Sequence, residues 1–380
     1  EDYPALSLAA SFTAATGDLP FGGAGYDISG YLDAGAVMRE VNAQEFITRE
    51  MTPYRQFRFA VADFLGQMAF GAVYKNGQDF ILDGAWRYGD PAALNEYGFD
   101  PTQWATASVN PLLMAYLPSD TQFILQSTDL DGTYNLILDS LSAVSQLVAT
   151  SPELARSFGL YGADGYDIGG ILRGSLTMGF AGLTGLNLEN DVLALLDDTD
   201  YALGLRVSHA DGANPSVDAA LIAGHTGGAQ AWLPALSEAA ALYGYPDIVP
   251  QSLTDSDAQI LDFGSILDPY LSEYLGASAA KDPSYDPLIG VNSAFAAVGT
   301  RNAVEYALRF PTDLSNVRIG LPRAVTLYLP NAQAVGYING EALETISEHA
   351  PKIESATLSA IVGDVNLVGR MTFSLTTGEN

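Results

Sequence analysis

GYDISGYLDAG, residues 25–35, returns with few changes as GYDIGGILRGS, residues 165–175. A repeat inside one chain decides the architecture before any single element does, because each copy then folds as a unit of the same kind. Reading forward from the first anchor gives an amphipathic helix in FRFAVADFLG (57–66) and a strand in MAFGAVY (68–74). An Asn76-Gly77 turn and a second strand in DFILDGAWRY (79–88) complete a hairpin. A short helix ending in Tyr97-Gly98-Phe99, a strand in TQFILQST (121–128) and a helix in GTYNLILDSLSAVSQLV (132–148) follow.

The second anchor leads through the same order. LENDVLALLDD (188–198) reads as a helix with Asn187 as its cap. YALGLRVSH (201–209) and VDAALIAGH (217–225) read as a hairpin, and ALSEAAALYGY (235–245) as a helix ending in Tyr243-Gly244-Tyr245. SAFAAVGT (293–300) is then a strand and NAVEYALRF (302–310) a helix. The predicted fold is therefore α+β. It is a tandem duplication of a helix–hairpin–helix–strand–helix module, with largely antiparallel sheets and helices on one face.

Four segments are expected. Residues 1–24 form an N-terminal strand segment, on the alternation in ALSLAASFTAA (5–15). Residues 25–150 are the first module and 151–310 the second. Residues 311–380 are a β-rich extension, with strands at 324–329 and 332–338, a helix at 340–349 and a closing hairpin at 355–376 turning at Gly363-Asp364. An uncharged strand near the N-terminus has to pair, either with a sheet of its own chain or with a neighbouring subunit.

The 380 residues carry 45 acidic and 16 basic side chains, a net charge of −29, and Lys75, Lys281 and Lys352 are the only lysines. Such a surface repels phosphate backbones, which excludes nucleic acid as a partner. With no cysteine there is no disulfide, thiolate metal site or cysteine nucleophile. The most apolar long stretch, 166–188, contains Asp167 and Arg173, so no segment reads as membrane-spanning and direct insertion is not expected. The chain opens at Glu1 without an apolar leader, which reads as the product of export and signal removal.

Catalytic motifs are missing. There is no Gly-x-Ser-x-Gly elbow, GASAA (276–280) being the nearest variant, and no phosphate loop. GHTGG (224–228) reads as a glycine-rich strand end rather than an oxyanion loop. His209 and His225 end opposite strands of one hairpin, about 27 Å apart at about 3.4 Å per residue, so they share no metal. His349 belongs on a helix end. Tyr26-Asp27 and Tyr166-Asp167 read as a repeated turn and helix cap. DLDG (129–132), DDTD (197–200) and DSD (255–257) are the acidic clusters considered for calcium, and Asp131 reads more simply as a helix cap. No catalytic, cofactor or metal residue is assigned.

Three stretches carry a resemblance. TGLNLENDVLALLDDTDYALGLRV (184–207), YLPSDTQFILQSTDL (116–130) and AFAAVGTRNAVEYAL (294–308) resemble recurrent segments of a bacterial family known only as a domain of unknown function. Its members are exported or envelope-anchored, and the match spans roughly residues 115–310. The resemblance implies an extracellular, cell-surface or periplasmic location and no particular activity. The expected function is that of a non-enzymatic exported protein acting by contact, as a structural, adhesive or assembly subunit with a protein partner or its own copies. The alternatives are a secreted carboxylate-dependent hydrolase and a calcium- or ligand-binding accessory protein.

Overall fold

The structure is a computed structural model. It describes residues 10–22, 25–45, 53–75, 77–100, 103, 107–109, 111–118, 120–150, 167–208, 216–264, 286–309, 328–340 and 353–375. Among these, thirteen strands form one antiparallel sheet. In chain order they are β1 (Ile28–Asp33), β2 (Gln67–Lys75), β3 (Asp79–Arg87), β4 (Phe123–Thr128), β5 (Asp200–Ser208), β6 (Ser216–Gly224), β7 (Gln251–Ser252), β8 (Gln259–Asp262), β9 (Pro287–Val291), β10 (Phe295–Thr300), β11 (Ala334–Asn339), β12 (Ile353–Val362) and β13 (Asn366–Leu375). Their order across the sheet is β1-β2-β3-β13-β12-β11-β4-β5-β6-β10-β9-β8-β7. The helices are α1 (Ala10–Gly17), α2 (Ala34–Glu45), α3 (Pro53–Leu65), α4 (Leu130–Thr150), α5 (Ile168–Thr184), α6 (Trp232–Leu242) and α7 (Arg301–Arg309).

The α+β class and the antiparallel hairpins agree with the sequence reading. The closing hairpin is β12–β13, with Gly363 N–H bonded to Asn366 O. Other expectations change. Residues 10–17 of the N-terminal strand segment are helical, and 5–9 lie outside the described residues. Alanine is the strongest helix former, and ASFTAATG carries small side chains that alternate without a preference for a pleat. Ala15 and Leu19 pack on Ala69 and Ala85. Asp18 then grips Arg87 through two hydrogen bonds of 2.7 Å, holding α1 to β3.

The opening echo splits into unlike elements. In the first copy Ile28–Asp33 is strand β1, paired along its whole length with β2. In the second, Ile168 onward is helix α5, capped by Asp167, whose carboxylate accepts from Gly170 N–H at 2.9 Å. Gly169 permits this, because a Cβ there would lie 2.0 Å from Leu138 O of α4. Nor are 25–150 and 151–310 separate sheets. The strand β10 lies against β6, whereas its counterpart β4 is parted from β3 by β13, β12 and β11. The free edge of β3 is taken by the C-terminal hairpin instead.

A different frame of elements does recur. Strand β1, helices α2 and α3 and hairpin β2–β3 lead to a 3₁₀ helix at Pro91–Tyr97. Strand β4, helices α4 and α5 and hairpin β5–β6 lead to α6. The first strand pairs with the first hairpin strand in both. Both frames end in Tyr-Gly-aromatic with glycine in the left-handed region, φ 75° at Gly98 and 93° at Gly244. The N–H groups of Phe99 and Tyr245 close the ends on Leu94 O and Ala240 O, at 3.2 and 2.9 Å.

Helices cover both faces of the sheet rather than one. On the first face, α7 and the 3₁₀ turn at Pro111–Tyr116 bury Ala202, Ile222 and Leu288, and α1 covers Ala69 and Ala85. On the second face, α6 buries Tyr201, Ala223 and Val291 at one end, and α3 sets Phe64 against Trp86 at the other. The sheet between those two ends is the region of interest.

Candidate functional site

One row of directly opposed residues crosses twelve strands of the second face. It runs Ile28, Ala72, Leu82, Met371, Leu358, Gly336, Leu125, Leu203, Leu221, Val298, Ile289 and Leu261. Every member is apolar. An apolar row is ordinary where helices cover it. No described element covers its middle, where Leu125 is 48%, Leu203 45% and Leu358 51% exposed. The neighbouring rows add Phe123, Ile338 and Phe373, and together these side chains line an open groove of about 610 Å³. Glycine at 336 leaves a gap in the row and deepens the groove.

On the opposite side, β11, β4 and β5 bury Val335, Tyr337, Ile124 and Ala202, whereas β12, β13 and β3 are polar and buried there. Ser355, Thr357 and Ser359 of β12 alternate with Ala356 and Leu358, and Arg370, Thr372 and Ser374 of β13 alternate with Met371 and Phe373. Asp79 and Asp83 of β3 join them. Asp83 accepts from Arg370 Nε at 2.7 Å and Nη2 at 2.8 Å, and from the Tyr26 phenol at 2.6 Å. Burial and the bond to Asp83 push the Tyr26 phenol pKa well up. The centre of the sheet is thus inverted, with hydroxyls and an ion pair inside and leucine, methionine and phenylalanine outside. Soluble proteins place large contiguous apolar patches outside where something binds.

Next to the groove the row passes under helices. Leu221, Ala296, Val298 and Ile289 form the floor of a cavity of about 370 Å³, and Phe180, Val192, Trp232 and Leu236 form its walls and roof. A π turn at Leu188–Val192 and a 3₁₀ turn at Leu193–Leu195 shape one wall. Here the sequence reading anticipated a regular helix, and the expected cap is present, with Asn187 accepting from Glu189 and Asn190 N–H. Such π turns interrupt helices where a site needs unusual backbone.

No family model, curated protein or solved structure matches this chain.

The residues weighed from sequence lie elsewhere. His225 is fixed, its Nδ1 accepting from Gly227 N–H and its Nε2 donating to Asn292 O, each at 3.1 Å. It follows a β6 in which Ala223, not His225, faces Tyr201. His209, His349, Tyr166, the GASAA segment at 276–280 and all but Gly340 of the helix expected at 340–349 lie outside the described residues. In GHTGG the Gly227 and Thr226 N–H groups are engaged by His225 and Leu195 O, so they are not turned toward an oxyanion.

Asp27 does not cap a helix. It accepts from Tyr74 N–H and leads into β1. The cap of α4 is Asp129, bonded to Gly132 N–H at 2.7 Å, and not Asp131. Asp131 sits in the first turn of the helix, and burial, with Asp197, Asp129 and Glu189 nearby, raises its pKa. In the DSD cluster Asp257 accepts from Ser293 N–H. Among the described residues no group of three or more acidic or histidine side chains is arranged to hold a metal, and no helix is long and apolar enough to cross a membrane.

Proposed function

We propose that this chain is a non-enzymatic exported protein that works by contact, and that its working surface is the apolar groove at the inverted centre of the sheet. The observation that carries the reading is the inversion itself. Exposing leucine and phenylalanine while burying serine, threonine, aspartate and arginine costs free energy twice, and the groove is where that cost is offset by binding. The three stretches with the family resemblance support the same region. Leu130, five residues between 186 and 196 (Leu186, Leu188, Val192, Leu193 and Leu196) and Ala296–Val298 come from the three stretches and line the adjoining cavity. The proposed surface location rests on that resemblance.

The test uses the uncharged dye Nile red. The native chain should bind it with blue-shifted emission at neutral pH. Leu125→Glu combined with Leu358→Glu should abolish the signal with the circular dichroism spectrum unchanged, since both side chains already face solvent. No dye binding by the native chain overturns the proposal.

We infer also that the recurring frame, residues 28–99 and 123–245, reflects duplication in a register different from the one the opening echo suggests. The matched glycine stops and strand pairings support it. An experimental structure in which the two frames fail to superpose strand for strand would refute it.

A further inference from the structure

We propose that groove and cavity form one continuous track for the acyl chain of a membrane lipid with no net charge on its headgroup. This deepens the contact reading and rests on it. Continuity comes from the strand register. Leu203 in the groove lies directly opposite Leu221 in the cavity, and Leu221 opposite Val298. From Met371 to Val298 the row crosses seven strands, about 29 Å at about 4.8 Å per step. An acyl chain covers one leaflet, about half of the ~30 Å hydrocarbon thickness of a bilayer, so the track is long enough to take one whole.

Three observations choose a lipid over a protein. First, β13, β12, β11, β4, β5 and β6 are all interior strands with a neighbour on each side, so no peptide can add to them by backbone pairing. Protein interfaces carry about one hydrogen bond per 100–200 Å², which the side chains of this row cannot supply and a hydrocarbon chain does not need. Second, the track runs beneath α5 and α6, where a slim flexible chain fits and a folded partner does not. Third, the roof helix α5 is apolar on its outside as well. Ile171, Leu176, Met178 and Leu183 are exposed, and its one charge, Arg173, is held by Asp139 at 2.8 Å and Glu189 at 3.5 Å. Those exposed side chains offer apolar area that the acyl boundary of a membrane would bury. The net charge of −29 opposes anionic headgroups.

The full-length chain is incubated with phosphatidylcholine vesicles containing a small fraction of pyrene-labelled diacylglycerol, then separated by flotation. Labelled lipid should move to the protein fraction as pyrene monomer. Gly336→Phe fills the gap in the row without adding charge; the nearest atom to a Cβ there is 3.8 Å away. Uptake should fall at least ten-fold with the melting temperature nearly unchanged. Leu203→Asp, at a solvent-facing position, should do the same and guards against a folding defect in the first variant. Vesicles doped with pyrene-labelled phosphatidylglycerol should yield much less transfer, and equal transfer overturns the headgroup assignment. No transfer by the native chain, or transfer that neither variant reduces, overturns the lipid proposal. If Nile red still binds in that case, the contact reading survives while the lipid fails. If the chain instead sediments as a dimer that Leu203→Asp dissociates, a second copy is the occupant and the lipid assignment is wrong.

Discussion

Asp83 and Arg370 meet across 287 residues of chain and form a two-bond ion pair away from water. Removing one partner leaves the other charge buried, at a cost of about 3–5 kcal/mol. Arg370→Met should therefore lower stability by that much in chemical denaturation. The double variant Asp83→Leu, Arg370→Met should recover most of the loss, because no bare charge remains. Asp131 offers a test of opposite sign. Its pKa is higher folded than unfolded, so the folded state holds its proton longer. Stability from this group is present below about pH 4, the ordinary aspartate range, and declines as pH rises through the raised folded value. Asp131→Asn should gain about 0.5 kcal/mol at pH 7 and nothing below pH 4, read from denaturation midpoints across pH. Neither site could be found in the sequence by spacing. Asp83 sits in a strand that reads as ordinary alternation, and nothing local pairs it with Arg370.

At the scale of elements, the hairpins and the final strand pair were legible because turns such as Asn76-Gly77 and Gly363-Asp364 act locally. The helix stops at Gly98 and Gly244 were legible for the same reason. The echo misled because Gly-Tyr-Asp-Ile is too short to choose between strand and helix, and its surroundings chose differently. Ile28–Asp33 found the edge of β2, and Gly169 found the backbone of α4. The second contact is testable. Gly169→Leu would drive a side chain into Leu138 O and Ser142, so the α4–α5 hairpin should separate. Faster amide exchange confined to 130–150 and 168–184 is the expected readout, with β12 and β13 unchanged. The groove was hidden for another reason. The alternation of Ser355, Thr357 and Ser359 with Ala356 and Leu358 is plain, but alternation does not say which side faces inward, and the ordinary assumption reverses this face.

At the scale of the molecule, the sheet has two parts. The strands β1–β3 and β4–β6 each belong to one recurring frame, and the C-terminal strands β11–β13 lie between them. Among the described strands they join the two within the sheet, β13 to β3 and β11 to β4. A chain ending before Ile353 should lose its single unfolding transition in calorimetry, because β3 is left without its partner and the two frames are no longer coupled through the sheet. Among the described residues, a chain lacking 1–20 loses α1, the packing of Leu19 and the Asp18–Arg87 pair. It should keep one transition at a lower temperature.

The central position of the last strands also fixes an order of events in the life of the chain. Synthesis runs from the N-terminus, so β3 and β4 are made early and β13 comes last. Until then each has an edge whose backbone groups are unpaired. The middle of the sheet closes only once β12 and β13 have been made, joining positions as far apart as Asp79 and Ser374. Contacts of such long range fold slowly. A nascent chain of this design stays open along its future midline until β12 and β13 have emerged from the ribosome, and a holding chaperone has that whole interval in which to engage it.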